Sequence, residues 1–219
     1  MRVGVLGGTF DPIHIGHVSA AEIADRAIGF ERLLIVPSRV PPHRIEHPRA
    51  SGYHRFAMAA LTAAMHERWE ASTIELESED GLSYTASTLQ RLHRLGLAAG
   101  DLYFIAGADA FADIATWKDY PRVLDLAHFA VVSRPRAPVE GLPAQLQGLA
   151  PHMVSATDGV RTLLPEGRPS LFLIDGDTPD VSSTDIRRRR AEGFSITGLV
   201  PPAVEAHILR HHLYEGGQG

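Results

Sequence analysis

The N-terminal segment restricts the fold more than any other part of the chain. An apolar run at residues 3–6 predicts a buried strand. The glycines Gly7 and Gly8 then allow a tight turn, and apolar residues at helical spacing predict a helix over residues 15–28. The chain therefore begins as strand, glycine turn and helix. In this arrangement free N–H groups and the positive end of the helix dipole face whatever lies in the turn.

Two histidines stand at the start of that helix. His14 and His17 are three residues apart, so they are neighbours on one helix face. Beside a helix N-terminus they indicate a phosphate-binding site, and the simpler alternative is that they only cap and pack the first turn. The glycines fit neither a dinucleotide fingerprint nor a Walker-type loop, which also needs a lysine that this turn lacks. Two histidines without cysteine are too few ligands for zinc.

The run from residue 7 to residue 17 resembles the H-x-G-H turn of the nucleotidylyltransferase superfamily. Within that superfamily it looks like the bacterial nicotinate-mononucleotide adenylyltransferases. Further blocks are similar to this family in the same order along nearly the whole chain: residues 36–38, 41–44, 84–89, 107–111, 117–120, 133–135, 182–187 and 213–214. The resemblance implies an enzyme of NAD biosynthesis that transfers AMP from ATP to nicotinate mononucleotide, giving nicotinate adenine dinucleotide and pyrophosphate.

Composition agrees with a small cytoplasmic enzyme. The 219 residues are 44% hydrophobic, enough to bury one sizeable core, and we expect a single domain over residues 1–219. A formal charge of −5 gives no electrostatic case for binding nucleic acid or a membrane surface. The absence of cysteine excludes a disulfide framework. With no long apolar stretch and no signal peptide, we expect a cytoplasmic location. The oligomeric state stays open, a homo-oligomer included.

Strand-like and helical patterns alternate along the chain. Such alternation predicts an α/β fold with a Rossmann-like open, mostly parallel twisted sheet and helices on both faces. The predicted strands after the first are residues 33–36, 72–76, 102–106, 128–132 and 171–174, and the predicted helices are residues 53–69, 85–95, 185–192 and 202–211. Residues 136–168 read as a loop-dominated connection with one short helix near residues 142–149. Ligands of such sheets bind outside the carboxyl ends of the strands, so the motifs could meet in one crevice.

The segment at residues 182–187 predicts a second anion site. Ser182 and Asp185 also fit a capping box, which is compatible with a phosphate site at a helix start. The resemblance implies that Ser183, Thr184 and Arg187 hold the distal phosphates of ATP.

Nucleotidyl transfer requires two anions to be held in one crevice. Because the attacking phosphate oxygen is already anionic, positioning and charge stabilisation suffice, without a general base. We expect His14, His17 and Arg187 to be the catalytic residues, the histidines at the α-phosphate and Arg187 at the β- and γ-phosphates. The other residues that the resemblance assigns to ATP are Gly8, Thr9, Phe10, Gly16, Gly107, Asp109 and Arg134.

Magnesium is the expected cofactor, held mainly by ATP phosphates and water rather than by a protein cage. Asp11 and Asp109 are candidates for outer-sphere contacts to the ion. For Asp11, an equally good interpretation is that it starts the turn before Pro12.

The acceptor site is predicted at the helix that follows Tyr84. Thr85 can serve as its N-cap while the N–H of Ala86 faces outward, which suits a carboxylate such as that of nicotinate. Trp117 can stack on a pyridinium ring or simply fill the core. The resemblance places Trp117 and Lys118 around the nicotinate together with Tyr84, Thr85 and Ala86. It places Pro42, His43 and Arg44 at the mononucleotide phosphate.

Three alternatives remain at this point. A sister enzyme with the same histidine turn would act on phosphopantetheine, FMN or a cytidylyl donor, against which Trp117, Thr85 and the closing Leu213-Tyr214 argue. The acceptor could be nicotinamide rather than nicotinate mononucleotide. The third alternative is a non-catalytic protein that senses nucleotides. Both histidines and Arg187 argue against it, because a sensor would not need them.

Overall fold

The computed structural model describes residues 1–40, 48–78, 81–158 and 168–216. Within these residues, seven strands form one sheet in the order β3-β2-β1-β4-β5-β7-β6, and every pairing between these strands is parallel. The strands are β1 (Val3–Gly8), β2 (Arg32–Pro37), β3 (Trp69–Ala71), β4 (Leu102–Gly107), β5 (His128–Val132), β6 (Met153–Thr157) and β7 (Leu171–Asp175). The predicted Rossmann-like parallel sheet is confirmed.

Helices cover both faces of the sheet, as predicted. They are α1 (Ile15–Ile28), α2 (Gly52–Ala63), α3 (Thr85–Arg94), α4 (Ala108–Ala112), α5 (Leu142–Gln145), α6 (Ser183–Ala191) and α7 (Pro202–Arg210). Helices α1, α2, α6 and α7 pack on one face, and α3, α4 and α5 on the other. Strand side chains alternate between the faces, so Tyr103 and Ile105 join the first core and Leu102 and Phe104 the second. In the described ranges, no helix has the length and apolar character needed to cross a membrane.

The strand order fixes where a ligand can bind. From β1 the chain moves outward through β2 to β3, and then returns to place β4 on the opposite side of β1. Such a reversal leaves a crevice at the carboxyl ends of the two central strands. Here β1 ends at Gly8 and β4 at Gly107, and each is followed by a segment that the sequence assigned to ATP.

Two sequence predictions near the second helix are wrong. The helix predicted over residues 53–69 ends at Ala63, because turn hydrogen bonds such as Met65 N to Thr62 O close it early. Trp69 instead begins β3, where its bulky side chain packs into the core beside β2. The strand predicted for residues 72–76 is a turn, closed by the bond from Glu77 N to Thr73 O.

The connection predicted as mostly loop contains a strand. Its short helix is present as α5, and β6 follows it as the outermost strand, paired with β7. An edge strand is covered less completely than a central one, and Ser155 and Thr157 interrupt the apolar pattern. Periodicity therefore gave no sign of β6.

Candidate active site

A cavity of about 540 Å³ opens at the carboxyl ends of β1 and β4. This volume is within the usual range for small-molecule sites. The sequence-predicted site residues on its wall are Gly8, Thr9, His17, Tyr84, Thr85, Ala86, Gly107, Asp109, Trp117, Lys118 and Arg134. The structure thus brings the first glycine turn, the start of α3 and the loop before β5 into one cavity.

The two histidines of the turn are stacked. Their ring centroids are 3.7 Å apart with an interplanar angle of 29°. His14 is the N-cap of α1, and its backbone N–H donates to His17 Nδ1 at 3.2 Å. An imidazole that accepts at Nδ1 carries its proton on Nε2 when neutral. Neutral His17 is therefore a hydrogen-bond donor at Nε2, and its side chain lines the cavity.

His14 lies beneath His17 instead of beside it. It is 5% exposed and does not line the main cavity. Burial, helped by the positive charge of Arg134, lowers the pKa of His14 to about 3, so the ring is neutral near neutral pH. Its Nδ1 has no hydrogen-bond partner among the described residues. Of the two histidines predicted at the α-phosphate, His17 therefore lies on the cavity wall and His14 is stacked against it.

Gly16 leaves little room for a side chain where the helix meets the first histidine. A Cβ at Gly16 would lie 3.1 Å from His14 Nδ1 and 3.3 Å from the carbonyl oxygen of Pro179. The Gly16 carbonyl accepts a bond of 2.9 Å from the Arg134 guanidinium. A Cβ at this position would require His14 and Pro179 to move by a few tenths of an ångström.

Gly107, Asp109 and Arg134 form a second close group at the end of β4. A Cβ at Gly107 would lie 2.5 Å from Asp109 Oδ1 and 2.8 Å from Arg134 Nε. Burial lowers the pKa of Arg134, and the charge of Asp109 partly offsets that effect. Arg134 thus brings a partly desolvated positive charge to the same turn that carries the histidines.

Asp11 ties three segments together. Its carboxylate is 1% exposed and accepts hydrogen bonds from Arg49 N at 2.9 Å, Ala50 N at 3.0 Å and the Tyr214 hydroxyl at 2.9 Å. These protein donors occupy both oxygens, which favours the interpretation of Asp11 as a residue that fixes the turn over an outer-sphere contact to magnesium.

The segment predicted as a second anion site packs against the histidine turn. Ser182 caps α6 by accepting from Asp185 N at 3.1 Å. Ser183 Oγ donates to the Pro12 carbonyl at 2.9 Å. Arg187 donates to the Asp11 carbonyl at 2.8 Å and to Thr184 Oγ1 at 3.2 Å. The two predicted phosphate elements are therefore adjacent.

These residues do not line the main cavity. Among the predicted ATP residues, Phe10, His14, Gly16, Ser183, Thr184 and Arg187 are outside its lining. The capping box is only half formed, because the Asp185 carboxylate accepts from Arg188 and Arg189 instead of reaching back to the cap. Of the three arginines after Arg187, Arg188 is exposed, Arg189 is partly exposed, and Arg190 turns inward to pair with Glu215 at 2.7 Å.

The acceptor end is formed by the start of α3 and the loop around Trp117. The N-cap is Tyr84, with no side-chain capping bond, and Thr85 is the first helical residue, so the predicted Thr85 cap is wrong. Trp117 is half-buried and makes edge contacts with Phe104 and Phe129 at centroid distances of 6.1 and 6.3 Å. Lys118 Nζ lies 4.7 Å from the centre of the Tyr84 ring. Trp117 therefore both packs on the core and faces the cavity.

Sequence reasoning missed a buried arginine that organises this region. Arg55 is 2% exposed and donates to the carbonyls of Thr9 at 2.8 Å and Ser38 at 2.6 Å. It thereby joins the glycine turn to the end of β2. The signal was present in the sequence, because Arg55 shares one helix face with Met58, Ala59 and Thr62, all of which are buried.

Three predicted acceptor residues, Pro42, His43 and Arg44, lie outside the described residues. Within the described part of the chain, no group of three histidine, cysteine or carboxylate side chains is arranged to hold a metal ion. Asp109 is the exposed carboxylate that lines the cavity beside Arg134.

Comparison with known proteins points to one group of enzymes. Residues 5–189 match the family model described as cytidylyltransferase-like. A protein of Roseiflexus sp. (strain RS-1), named "Probable nicotinate-nucleotide adenylyltransferase", is 45% identical over 97% of both chains. A protein of the same name from Thermus thermophilus is 37% identical over 98% of this chain and 100% of its own length.

A solved structure shares the fold. The nicotinic acid mononucleotide adenylyltransferase of Plasmodium falciparum, complexed with NaAD, superposes with a TM-score of 0.72. The match covers 97% of each chain at 17% sequence identity.

Proposed function

The chain belongs to the cytidylyltransferase-like family and, within it, to the nicotinate-nucleotide adenylyltransferases. From this premise we propose that it transfers AMP from ATP to nicotinate mononucleotide, releasing pyrophosphate and forming nicotinate adenine dinucleotide. The observation that carries the proposal is that the His17 turn and the start of α3 with Trp117 line the same cavity. We assign the donor nucleotide to the His17 turn and the acceptor nucleotide to the start of α3.

The bond changes in this reaction are simple. An oxygen of the acceptor phosphate forms a bond to the α-phosphorus of ATP, and the bond from that phosphorus to the bridging oxygen breaks. The attacking oxygen is already an anion, so no side chain has to remove a proton. The protein has to align the two nucleotides and stabilise the charge that develops on the phosphoryl and leaving oxygens.

His17 is the residue that we assign to the α-phosphate. Its Nδ1 is engaged by the backbone of His14, so the ring cannot flip without losing that bond. The proton is thereby kept on Nε2, the atom we propose donates to a phosphoryl oxygen in the transition state. His14 supports His17 by stacking, and its neutral state avoids a second buried charge beside Arg134.

We propose that the start of α6 holds the distal phosphates. Arg187 lies one turn into that helix, and its bonds to Asp11 and Thr184 fix the orientation of the guanidinium. Ser183 and Thr184 supply hydroxyls at the same helix start. Contact between this segment and the histidine turn supports the assignment of both to one triphosphate.

The acceptor is proposed to lie at the start of α3. The backbone N–H groups of the first helical turn and the helix dipole favour an anion, which suits nicotinate better than nicotinamide. Trp117 offers a ring face for the pyridinium. Gly107 and Asp109 are assigned to the ATP ribose, and Arg134 to the adenine or phosphates.

Magnesium is the ion that we propose accompanies ATP. The donors in and around the cavity fit an ion held mostly by phosphates and water, because the Asp11 oxygens already accept three protein hydrogen bonds and Asp109 is the carboxylate on the wall near Arg134. Asp109 would contact the ion through water, and the ion would neutralise charge on the phosphates.

Pyrophosphate release from ATP tests the proposal. The assay is run with nicotinate mononucleotide, nicotinamide mononucleotide and phosphopantetheine in turn, and without an acceptor. Release that is fastest with nicotinate mononucleotide supports the proposal. Release that requires phosphopantetheine would assign the chain to a sister enzyme, and binding of ATP without release under any condition would make it a sensor.

A further inference from the structure

A buried carboxyl group lies at the acceptor end of the cavity and has no part in the mechanism above. Glu75 is in the turn after β3, is 6% exposed, and lines the cavity together with Ser83, Tyr84 and Thr85. Buried carboxyl groups on a cavity wall are uncommon unless they are paired. This position therefore calls for a physical explanation.

Glu75 is tied to the first turn of α3. The Thr88 hydroxyl contacts Glu75 Oε1 and also lies 3.2 Å from the carbonyl oxygen of Tyr84, the N-cap of the helix. The other carboxyl oxygen, Oε2, is buried with no hydrogen-bond partner of normal geometry among the described residues. One oxygen of the carboxyl group is thus anchored by Thr88, and the other makes no well-formed hydrogen bond within the described part of the chain.

The surroundings of Glu75 oppose its ionisation. Burial raises the pKa of Glu75, and this effect outweighs the stabilisation of the anion by the Ser83 and Thr88 hydroxyls, the nearby charge of Arg91 and the backbone N–H of Arg39. The other charged or titratable residues that line the cavity are His17, Tyr84, Asp109, Asp113, Lys118 and Arg134.

We propose that Glu75 is a specificity-determining residue for the acceptor, and that its neutral form is the one that admits a carboxylate. A negative charge under the first turn of α3 would cancel part of the positive potential that the helix N-terminus offers to nicotinate. A protonated Glu75 leaves that potential intact. An ionised Glu75 repels nicotinate and leaves a neutral carboxamide almost unaffected.

The inference rests on the proposed function and adds a dependence on pH. Glu75 is protonated below its raised pKa and ionised above it. The preference for nicotinate mononucleotide over nicotinamide mononucleotide is therefore greatest at low pH and falls as the pH rises through that value. The reactions of the two acceptors use the same ATP, the same acceptor phosphate group and the same histidines. Titration of those groups therefore affects both kcat/KM values equally and cancels in their ratio.

The test is the ratio of kcat/KM for the two acceptors across the pH range in which the enzyme is folded. For the wild-type enzyme we expect the ratio to fall by roughly tenfold as Glu75 ionises, the size of a partly screened charge–charge interaction. Glu75→Gln keeps the shape of the side chain without the charge, and its ratio is expected to stay at the low-pH value throughout. Glu77→Gln is the matched control, since Glu77 is exposed on the same turn, and it should follow the wild type.

Two results would overturn the inference. One is a wild-type ratio that does not change with pH, and this measurement stands even if Glu75→Gln fails to fold. The other is a folded Glu75→Gln enzyme whose ratio falls with pH as in the wild type. Neither affects the proposed function, which fails only if the wild-type enzyme releases no pyrophosphate with nicotinate mononucleotide.

Discussion

The hydroxyl of Tyr214 donates a hydrogen bond of 2.9 Å to Asp11 Oδ1, so the C-terminal end of the chain is attached to the turn that carries the histidines. Both side chains are buried. Burial and the adjacent carboxylate of Asp11 raise the pKa of Tyr214, which keeps the phenol protonated as a donor. The same carboxylate holds Arg49 and Ala50, while the Asp11 carbonyl accepts from Arg187. Asp11 therefore couples the glycine turn to α6 and to the residues before α2.

Tyr214→Phe tests this attachment. The variant removes one donor from a buried carboxylate, and we expect the free energy of unfolding to fall by about 1.5–3 kcal/mol. We also expect kcat to fall, because the turn loses a restraint. Denaturant unfolding and steady-state kinetics measure the two effects. Tyr53→Phe is the control, because Tyr53 is 90% exposed and should tolerate the change; equal stability of the two variants would contradict the role given to Tyr214.

His17→Ala removes the proposed donor to the α-phosphate. We expect kcat to fall by roughly two to three orders of magnitude while the fold is retained, as for loss of one transition-state donor. Circular dichroism checks the fold, and pyrophosphate release gives the rate. His212→Ala, on an exposed side chain, should leave the rate unchanged. A loss of less than about fivefold in the His17 variant would remove His17 from the mechanism.

Trp117→Ala tests the acceptor end. We expect the KM for nicotinate mononucleotide to rise by roughly tenfold or more, since a cation over an aromatic face contributes about 1–2 kcal/mol when desolvated. The KM for ATP should change little, because Trp117 is assigned to the acceptor and not to ATP. Trp117→Phe should restore part of the affinity for the acceptor. A rise in both KM values to the same extent would indicate a general loss of structure.

The lowered pKa of His14 predicts how the free energy of unfolding depends on pH. Its pKa is lowered to about 3 in the folded protein, mainly by burial, against a reference value of 6.5 when exposed. Between these values the unfolded chain binds the proton more tightly, so stability is complete above about pH 6.5 and falls as the pH drops toward 3. The slope from this one site is at most about 1.4 kcal/mol per pH unit.

His14→Gln separates that slope from the contribution of the carboxylates. The free energies of unfolding of the wild type and the variant are measured by denaturant titration between about pH 4.5 and 6.5. We expect the variant to lose stability less steeply than the wild type as the pH falls. Parallel curves would mean that His14 takes up its proton in the folded state as readily as in the unfolded chain.

The central strands of the parallel sheet and the main motifs could be predicted because they depend on local patterns. The apolar runs of β1, β2, β4 and β5 are buried on both faces and therefore read as strands, and α1 was predicted with the bounds that the structure has. The edge strand β6 and the turn at residues 74–77 depend on distant partners, so their own composition does not reveal them.

The sequence predicted which residue types form the site, but it did not predict how deeply each side chain is buried. Sequence spacing made His14 and His17 neighbours, but only packing decides that His14 is buried beneath His17. In the same way the motif of Ser183 and Arg187 was visible, whereas their bonds to the carbonyls of Pro12 and Asp11 come from long-range contacts. Arg55 and Glu75 belong to no phosphate motif; helical spacing places Arg55 on the buried face of α2, whereas the burial of Glu75 follows from tertiary structure.

A crystal structure with a non-hydrolysable ATP analogue and nicotinate mononucleotide tests the central claim most directly, namely that the histidine turn and the start of α6 hold one triphosphate while the acceptor lies at α3. We predict an α-phosphate oxygen within hydrogen-bond distance of His17 Nε2, a distal phosphate beside Arg187, and the nicotinate ring against Trp117. A triphosphate that contacts only one of the two elements, or a nicotinate ring bound away from the start of α3, would contradict the account.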